Sequence, residues 1–204
     1  MSPIVGVVLS YLAGSIPSAY LAGKFRGVDL RKHGSGNLGA TNVVRVLGAK
    51  IGAVVFLADL LKGFAPVYFL PRYTETLRPE LWALVFGVAA IAGHVKPIFL
   101  LGKGGGKGVA TATGVFLALA PIPVLVTNAV WITVFYFTRY VSLASLLAAA
   151  VLPVAILAWT RNPQSLVFIA SVAIASFVFW THRANIGRLR RGEEHRFVKK
   201  ESAV

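Results

Sequence analysis

Two glycine-rich segments carry residues whose types and spacing could bind phosphate. The first reads SGNLGATNVVR, from Ser35 to Arg45, and the second reads GKGGGKGVAT, from Gly102 to Thr111. Glycine allows backbone N–H groups to turn toward one point, and Lys and Arg supply positive charge. Both segments interrupt a chain that is otherwise mostly apolar. The pattern therefore indicates chemistry on an amphiphilic or lipid phosphate.

The second segment is not a P-loop of the nucleotide-binding type. That pattern needs Gly five residues before its last Gly-Lys and Ser or Thr after it, but Leu101 and Gly108 stand there. What remains is a nest of N–H groups that opens a helix at Val109, whose N-terminal dipole favours an anion. The alternative is a turn whose lysines only mark a membrane face. The predicted substrate-binding residues are Lys103, Gly104, Gly105, Gly106, Lys107, Gly108 and Thr111.

The first segment offers hydroxyl, amide and guanidinium groups in a short stretch. Hydroxyls and amides can bind glycerol-like hydroxyls and phosphate oxygens, and Arg can bind phosphate through two parallel hydrogen bonds. An N-cap and turn cluster before the second membrane helix is the alternative, but capping alone accounts for one such residue and not for the whole set. The predicted site residues are Ser35, Asn37, Thr41, Asn42 and Arg45.

Three ionisable residues lie within apolar stretches. Asp59 and Lys62 are three residues apart and therefore share a helix face. A charge at mid-membrane costs about 2.5–3.5 kcal/mol on insertion scales, and an opposite charge nearby reduces that cost. The pair either fixes helix packing or contacts substrate, and the sequence leaves both open. His94, in GHVKP, is predicted to line the site, although membrane histidines also serve as packing residues.

The elements that carry these residues are predicted to be membrane helices. The chain has 204 residues, is 56% hydrophobic and has a mean hydropathy of +0.73, well above that of soluble domains. We predict an all-α, polytopic membrane protein that forms one domain over residues 1–204. About seven transmembrane helices are expected near 3–23, 48–70, 80–100, 108–120, 122–138, 142–160 and 164–182. The fourth is short, so a single helix kinked at Pro121 and Pro123, with six crossings, is an alternative.

Charge placement favours seven crossings. Nearly all loop Lys and Arg residues then face one side, and only Arg72, Arg78 and Arg161 face the other. The positive-inside rule places the N-terminus outside and the C-terminus, with its basic tail from about residue 183, in the cytoplasm. Both glycine-rich segments then emerge on the cytoplasmic side. The net charge of +14 indicates contact with anionic membrane lipids and not with nucleic acid.

Several kinds of chemistry are disfavoured. Cysteine is absent, which excludes disulfides, thiolate nucleophiles and cysteine metal sites. The acidic residues form no sequence cluster for a two-metal site, and no Ser stands in a Gly-x-Ser-x-Gly elbow. We therefore expect no metal and no other cofactor. Since no strong acid–base pair is evident, the chemistry should use a substrate that is already activated.

Five motifs, in this order and spacing, resemble those of the bacterial acyl-phosphate-dependent glycerol-3-phosphate acyltransferases of the PlsY type. They are SGNLGATNVVR, DLLKG, GHVKP, GKGGGKGVAT and HRANIGRLRRGEE, and the similarity spans roughly residues 10–195. The resemblance implies a multi-pass enzyme of the bacterial inner membrane whose active site faces the cytoplasm. It would move an acyl chain from acyl phosphate to the 1-hydroxyl of sn-glycerol 3-phosphate, giving lysophosphatidic acid and phosphate. This is the first step of phospholipid synthesis.

The resemblance also implies roles for particular residues and partners. Gly104–Gly108 would bind the phosphate of glycerol 3-phosphate, and Glu194 would maintain the structure. Acyl phosphate is a mixed anhydride, so the protein need only hold two anions close together and align them. An enzyme that produces acyl phosphate is expected as a functional link. Activity would require Ser35, Arg45, His182 and Asn185.

A transporter or exchanger of a phosphorylated solute is the main alternative. Transporters place broken helices and polar groups near the bilayer midplane and often contain inverted repeats. Here the polar motifs cluster at one predicted rim, and only Asp59 and Lys62 favour transport. A non-catalytic scaffold would leave both glycine-rich segments unexplained. The acyltransferase is therefore the predicted function.

Overall fold

Helices make up the regular structure of residues 1–197, the part of the chain that the computed structural model describes. The all-α prediction is confirmed. Short 3₁₀ turns at Leu70–Tyr73 and Ile98–Leu100 follow the fourth and fifth helices. In chain order the helices are α1 (Pro3–Ser15), α2 (Ser18–Phe25), α3 (Ala40–Leu47), α4 (Ala49–Phe69), α5 (Pro79–Val95), α6 (Val109–Leu119), α7 (Pro121–Thr138), α8 (Val141–Thr160), α9 (Leu166–Thr181) and α10 (Arg183–Arg190).

The chain forms two compact units. The first runs from Met1 to Pro121 and holds α1 to α6, and the second begins at Ile122. In the first unit, α4 packs along α6 and α1 packs along α5, while α3 contacts α4. In the second unit, α8 packs along α9, and α10 contacts both. That the two units act as the single domain predicted for residues 1–204 remains a prediction.

Length and composition allow five helical segments to cross a membrane, among the residues described. They are Pro3–Phe25, Ala49–Tyr73, Pro79–Leu100, Pro121–Thr138 and Val141–Thr160. A sixth candidate joins α9 to α10, which bend by 59° at His182. The predicted fourth crossing is α6, whose 11 residues rise about 16 Å against a hydrocarbon core of about 30 Å. The exact number of crossings and the orientation of both termini remain predictions.

Small residues allow the helices of the first unit to approach closely. A Cβ built on Gly63 of α4 would overlap the carbonyl oxygen of Thr111 in α6. A Cβ built on Gly14 of α1 would likewise overlap the carbonyl oxygen of Ala90 in α5. Helix backbones in contact through small residues are typical of membrane bundles. This packing fixes the C-terminal end of α5 and the N-terminal end of α6, between which the second glycine-rich segment lies.

Candidate active site

The serine loop, residues 26–39 between α2 and α3, is held in shape by Asn42. The Asn42 side chain is 1% exposed. Its Oδ1 accepts a hydrogen bond from the Ser35 N–H at 2.8 Å. Its Nδ2 donates to the carbonyl oxygens of Leu30 and His33 at 3.1 and 3.0 Å. Asn42 therefore orders the loop that presents the exposed Ser35, and the predicted direct contact of Asn42 with substrate remains untested.

Helix α3 continues from this loop and carries the predicted residues Thr41 and Arg45. They are four residues apart and lie on one face of the helix, where both are partly buried. The helix begins after Gly39, and no side chain caps its first turn. The alternative of a cap and turn cluster therefore holds for the turn, which Asn42 shapes, and not for a side-chain cap of α3. In the first turn of α3 the Asn42 N–H donates to the Gly39 carbonyl oxygen at 3.0 Å, which leaves the N–H groups of Ala40 and Thr41 for another acceptor.

A charged clamp within the serine loop was missed by the sequence analysis. Arg31 Nε and Nη2 donate to the two carboxylate oxygens of Asp29 at 2.9 and 3.0 Å, and the Arg31 N–H donates to Asp29 Oδ1 at 3.1 Å. The hydrogen bonds from the Arg31 side chain, and then from its backbone, lower the pKa of Asp29 from 3.8 to about 2. The available signal was that Asp29 is the one acid between residues 24 and 45.

The glycine loop, Gly102–Gly108, rests on the end of α5. The N–H of Gly106 donates to the carbonyl oxygen of His94 at 3.3 Å. A Cβ on Gly105 would overlap the Val95 carbonyl oxygen, and a Cβ on Gly106 would overlap the His94 ring. Glycine is therefore required at both positions by the close approach of the chain to α5, whatever the loop binds.

Helix α6 begins where the glycine loop ends. Its N-cap is Gly108, with a φ of 83°, and no side chain caps the first turn. An uncapped helix N-terminus offers N–H donors and a partial positive charge to an anion. Thr111 is fully buried in the contact between α4 and α6, and its predicted contact with substrate remains a prediction.

The serine loop and the glycine loop contact each other. A Cβ built on Gly104 would lie 3.4 Å from Leu38 Cδ1 and 3.6 Å from Arg31 Cδ, and one built on Gly106 would lie 3.2 Å from the Leu38 carbonyl oxygen. The structure thus brings together the two segments that the sequence singled out, although they are more than fifty residues apart. Each is followed by a helix with an uncapped N-terminus.

Asp59, Lys62 and His94 form a buried cluster beneath this contact. Lys62 Nζ lies 2.7 Å from Asp59 Oδ1 and donates to the carbonyl oxygen of Ile16 at 2.8 Å. His94 Nδ1 lies 3.7 Å from the same carboxylate oxygen, and the three side chains are at most 7% exposed. Ile16 lies at the break between α1 and α2, where Pro17 interrupts the helix.

A small cleft connects this cluster to the two loops. Its volume is about 10 Å³, which is room for about one water molecule and not for a lipid chain. The cleft shows that the DLLKG, GHVKP and GKGGGKG motifs meet at one place within the first unit. Its lining residues are Ile16, Pro17, Ser18, Leu38, Asp59, Lys62, His94, Pro97, Gly104, Gly105 and Gly106.

The second unit contains a polar cluster around Glu194. Glu194 Oε1 accepts hydrogen bonds from Ser142 Oγ at 2.9 Å and Asn185 Nδ2 at 2.7 Å, and Oε2 accepts from Arg188 Nε at 2.7 Å. Burial by itself would raise the pKa of Glu194, but these three hydrogen bonds outweigh it and lower the pKa below its ordinary value. Glu194 ties α8 to α10, which supports the structural role implied for it.

His182 and Asn185 lie at the start of α10 in this second unit. His182 Nδ1 lies 2.8 Å from the carbonyl oxygen of Val178, and both predicted residues are at most 6% exposed. That activity requires these two residues remains a prediction. Ser142, which shares Glu194 Oε1 with Asn185, was not predicted, because 52 residues separate it from Glu194.

The chain is similar to proteins of one family along almost its whole length. The family model "Glycerol-3-phosphate acyltransferase" matches residues 4–192. A curated glycerol-3-phosphate acyltransferase of Fusobacterium nucleatum is 46% identical, over 94% of this chain and 96% of the relative. One from Aquifex aeolicus is 43% identical, over 97% of this chain and 100% of the relative.

Two solved structures are also similar. Both are crystal structures of PlsY, an integral membrane glycerol 3-phosphate acyltransferase. The glycerol 3-phosphate form has a TM-score of 0.88 and 40% identity, over 96% of each chain. The lysophosphatidic acid form has a TM-score of 0.85 and 39% identity, over 96% of this chain and 95% of that one.

Proposed function

Because the chain belongs to the glycerol-3-phosphate acyltransferase family, we propose that it takes its acyl chain from acyl phosphate. Membership makes the protein an integral membrane acyltransferase of phospholipid synthesis, and the transporter alternative loses its support. The acyl donor is the finer question. Acyl phosphate supplies an activated carbonyl and a good leaving group, so it does not require a nucleophile on the protein.

The contact between the serine loop and the glycine loop carries this proposal. Each loop leads into an uncapped helix N-terminus, that of α3 or that of α6. Acyl phosphate and glycerol 3-phosphate each carry one phosphate, so two adjacent anion sites match the two substrates. Arg45, Lys103 and Lys107 add positive charge near these sites, and Ser35 stands exposed on the serine loop.

The proposed reaction joins the two bound substrates directly. The 1-hydroxyl oxygen of glycerol 3-phosphate attacks the carbonyl carbon of acyl phosphate and forms the ester bond. The bond between that carbon and the bridging phosphate oxygen breaks, and the electron pair leaves with phosphate. The hydroxyl proton goes to the departing phosphate, so no side chain acts as a strong base. The protein contributes proximity and electrostatic stabilisation.

We place the reaction at the cytoplasmic face of the bacterial inner membrane. The basic loops of the predicted topology support this side, and the acyl chain can remain among the helices and membrane lipids while its phosphate reaches the loops. Another enzyme must supply acyl phosphate, which makes that enzyme a functional partner without requiring a physical complex.

The purified protein in detergent tests the donor. Glycerol 3-phosphate is supplied with palmitoyl phosphate or, separately, with palmitoyl-CoA, and lysophosphatidic acid and phosphate are measured. We expect both products from palmitoyl phosphate and none from palmitoyl-CoA. Product from palmitoyl-CoA alone would overturn the donor but keep the acyltransferase. Flux of glycerol 3-phosphate into proteoliposomes without any product would revive the transporter.

A pH–rate profile tests the route of the proton. We compare the wild type with His94→Ala and His182→Ala, using kcat at saturating concentrations of both substrates. If phosphate accepts the proton, both variants keep the shape of the wild-type profile. Loss of a limb near about pH 6–7 in a variant that still binds both substrates would identify that histidine as the base.

A further inference from the structure

The guanidinium group of Arg31 has one edge occupied and one edge open. The edge formed by Nε and Nη2 donates to both carboxylate oxygens of Asp29. An Arg side chain has five N–H groups in a planar fork, and no other acceptor within residues 1–197 takes those on the Nη1 side. The Arg31 side chain is 48% exposed, so this second edge is accessible.

Arg31 stands beside the glycine loop. Its Cδ would lie 3.6 Å from a Cβ on Gly104, which is van der Waals contact, and the residue also packs over the Tyr20 ring at 5.5 Å from the centroid. Gly104 has a φ of 72°, so the chain turns sharply at the point of contact. The stem of Arg31 therefore lies beside Gly104 and its guanidinium group lies over the Tyr20 ring, which puts the charged head near the proposed anion site.

The surroundings of this clamp are strongly basic. Asp29 is the sole acid of segments 24–45 and 102–108, and the same segments hold Lys24, Arg26, Arg31, Lys32, Arg45, Lys103 and Lys107. A guanidinium that is backed by a carboxylate on one edge can bind a phosphate bidentately on the other. The excess of positive charge attracts that phosphate to the region.

We propose that Arg31 is a further phosphate-binding residue of the acyl-transfer site and that Asp29 is the positioning residue that holds it. The proposal rests on the proposed function, because it assigns the phosphate to one of the two substrates. The alternative is a surface ion pair that only shapes the turn, and such pairs contribute little to stability and nothing to substrate binding. Stability and substrate binding therefore separate the two cases.

The test compares Arg31→Gln, Arg31→Lys and Asp29→Asn with Lys32→Gln, a control that removes a neighbouring exposed charge of the same loop. The KM for glycerol 3-phosphate, the KM for palmitoyl phosphate, kcat and the unfolding midpoint are measured for each. We expect Arg31→Gln to raise the KM of one substrate by about 10-fold or more. Arg31→Lys should raise the same KM by less, since Lys keeps the charge but loses the paired donors.

Asp29→Asn should raise that same KM by about 3-fold, with kcat nearly unchanged, because a neutral amide holds the guanidinium less well. The ratio of this KM in Asp29→Asn to that in the wild type should stay constant between about pH 5.5 and 8, because Asp29, with a pKa of about 2, stays ionised throughout that range. The substrate whose KM rises identifies the phosphate that Arg31 binds. Either substrate supports the proposal.

The proposal is overturned if Arg31→Gln changes both KM values no more than Lys32→Gln does, or if it only lowers the unfolding midpoint. Failure of the proposed donor is distinguishable from this result. If the wild type uses palmitoyl-CoA and not palmitoyl phosphate, the donor is wrong, yet the KM for glycerol 3-phosphate still reports on Arg31. If Arg31→Gln then left the KM for glycerol 3-phosphate at its wild-type value, the role of Arg31 would be rejected as well.

Discussion

Breaking the ion pair between Asp59 and Lys62 should destabilise the fold, and removing both charges should restore it. The two side chains are 3% and 7% exposed, and Lys62 Nζ lies 2.7 Å from Asp59 Oδ1. Asp59→Leu leaves Lys62 without its carboxylate, and Lys62→Met leaves Asp59 with only His94, 3.7 Å away, beside it; removing one partner of such a buried pair costs about 3–5 kcal/mol. The double variant leaves neither charge in the interior. Its free energy of unfolding should therefore fall by only about 1 kcal/mol, because it loses the hydrogen bond that Lys62 donates to the Ile16 carbonyl oxygen.

The assay is a double-mutant cycle in detergent, in which unfolding is followed by intrinsic fluorescence. The exposed Lys50→Met variant, at the start of the same helix, is the control and should change stability by less than about 0.5 kcal/mol. The predicted coupling energy between Asp59 and Lys62 is several kcal/mol. The double variant should lose less stability than the two single variants lose when their losses are added. Additive losses would refute the reasoning from burial.

The same double variant separates packing from catalysis. Asp59 is paired with Lys62 and lies near His94, and Lys62 also bonds the Ile16 carbonyl oxygen at the break between α1 and α2. A folded double variant should therefore keep its KM for glycerol 3-phosphate within about threefold of the wild type. A stable double variant with a much higher KM would show that the pair contacts substrate. That result would select the other alternative left open by the sequence.

Two further predictions concern the glycine loop and the Glu194 cluster. Gly105→Ala should raise the KM for glycerol 3-phosphate by about 10-fold, since its Cβ would overlap the Val95 carbonyl oxygen and displace the loop. The control is Gly187→Ala in α10, whose Cβ would meet only Arg191 Nη1 at 3.4 Å. An unchanged KM in Gly105→Ala would remove the loop from phosphate binding. Glu194→Gln should lower stability at pH 7 by about 1–3 kcal/mol. Because the folded-state pKa of Glu194 is below its ordinary 4.5, this difference in stability should persist above about pH 5 and shrink as the pH falls below 4.5. A difference that is the same at about pH 3 and pH 7 would contradict the assigned charge.

Much of the helical architecture could be predicted from the sequence, because long apolar runs have few alternatives in a membrane. The second predicted span, 48–70, appears as α4 (Ala49–Phe69). The first, 3–23, corresponds to the candidate span Pro3–Phe25, within which the helix is broken into α1 and α2 at Pro17. Proline has no N–H to continue the helix, so this break had a signal in the sequence, and it releases the Ile16 carbonyl that binds Lys62.

The site was predictable at the level of segments and less so at the level of side chains. Glycine-rich basic segments indicated two adjacent loops, which contact each other through Leu38 and Gly106. A polar residue type does not reveal its partner, however. Asn42 and Thr111 have the chemistry to bind substrate, yet both are buried. The link from Ser142 to Glu194 could not be foreseen, because it depends on how helices distant in sequence pack.

The most direct test of the central claim is the rate of lysophosphatidic acid formation from glycerol 3-phosphate and palmitoyl phosphate in Ser35→Ala and Arg45→Ala. Lys50→Ala serves as the control, since Lys50 is exposed and lies outside both loops. The account predicts that both site variants lose nearly all of the rate while they remain folded and the control keeps it. Wild-type rates in both folded site variants would contradict the location of the active site at the serine and glycine loops.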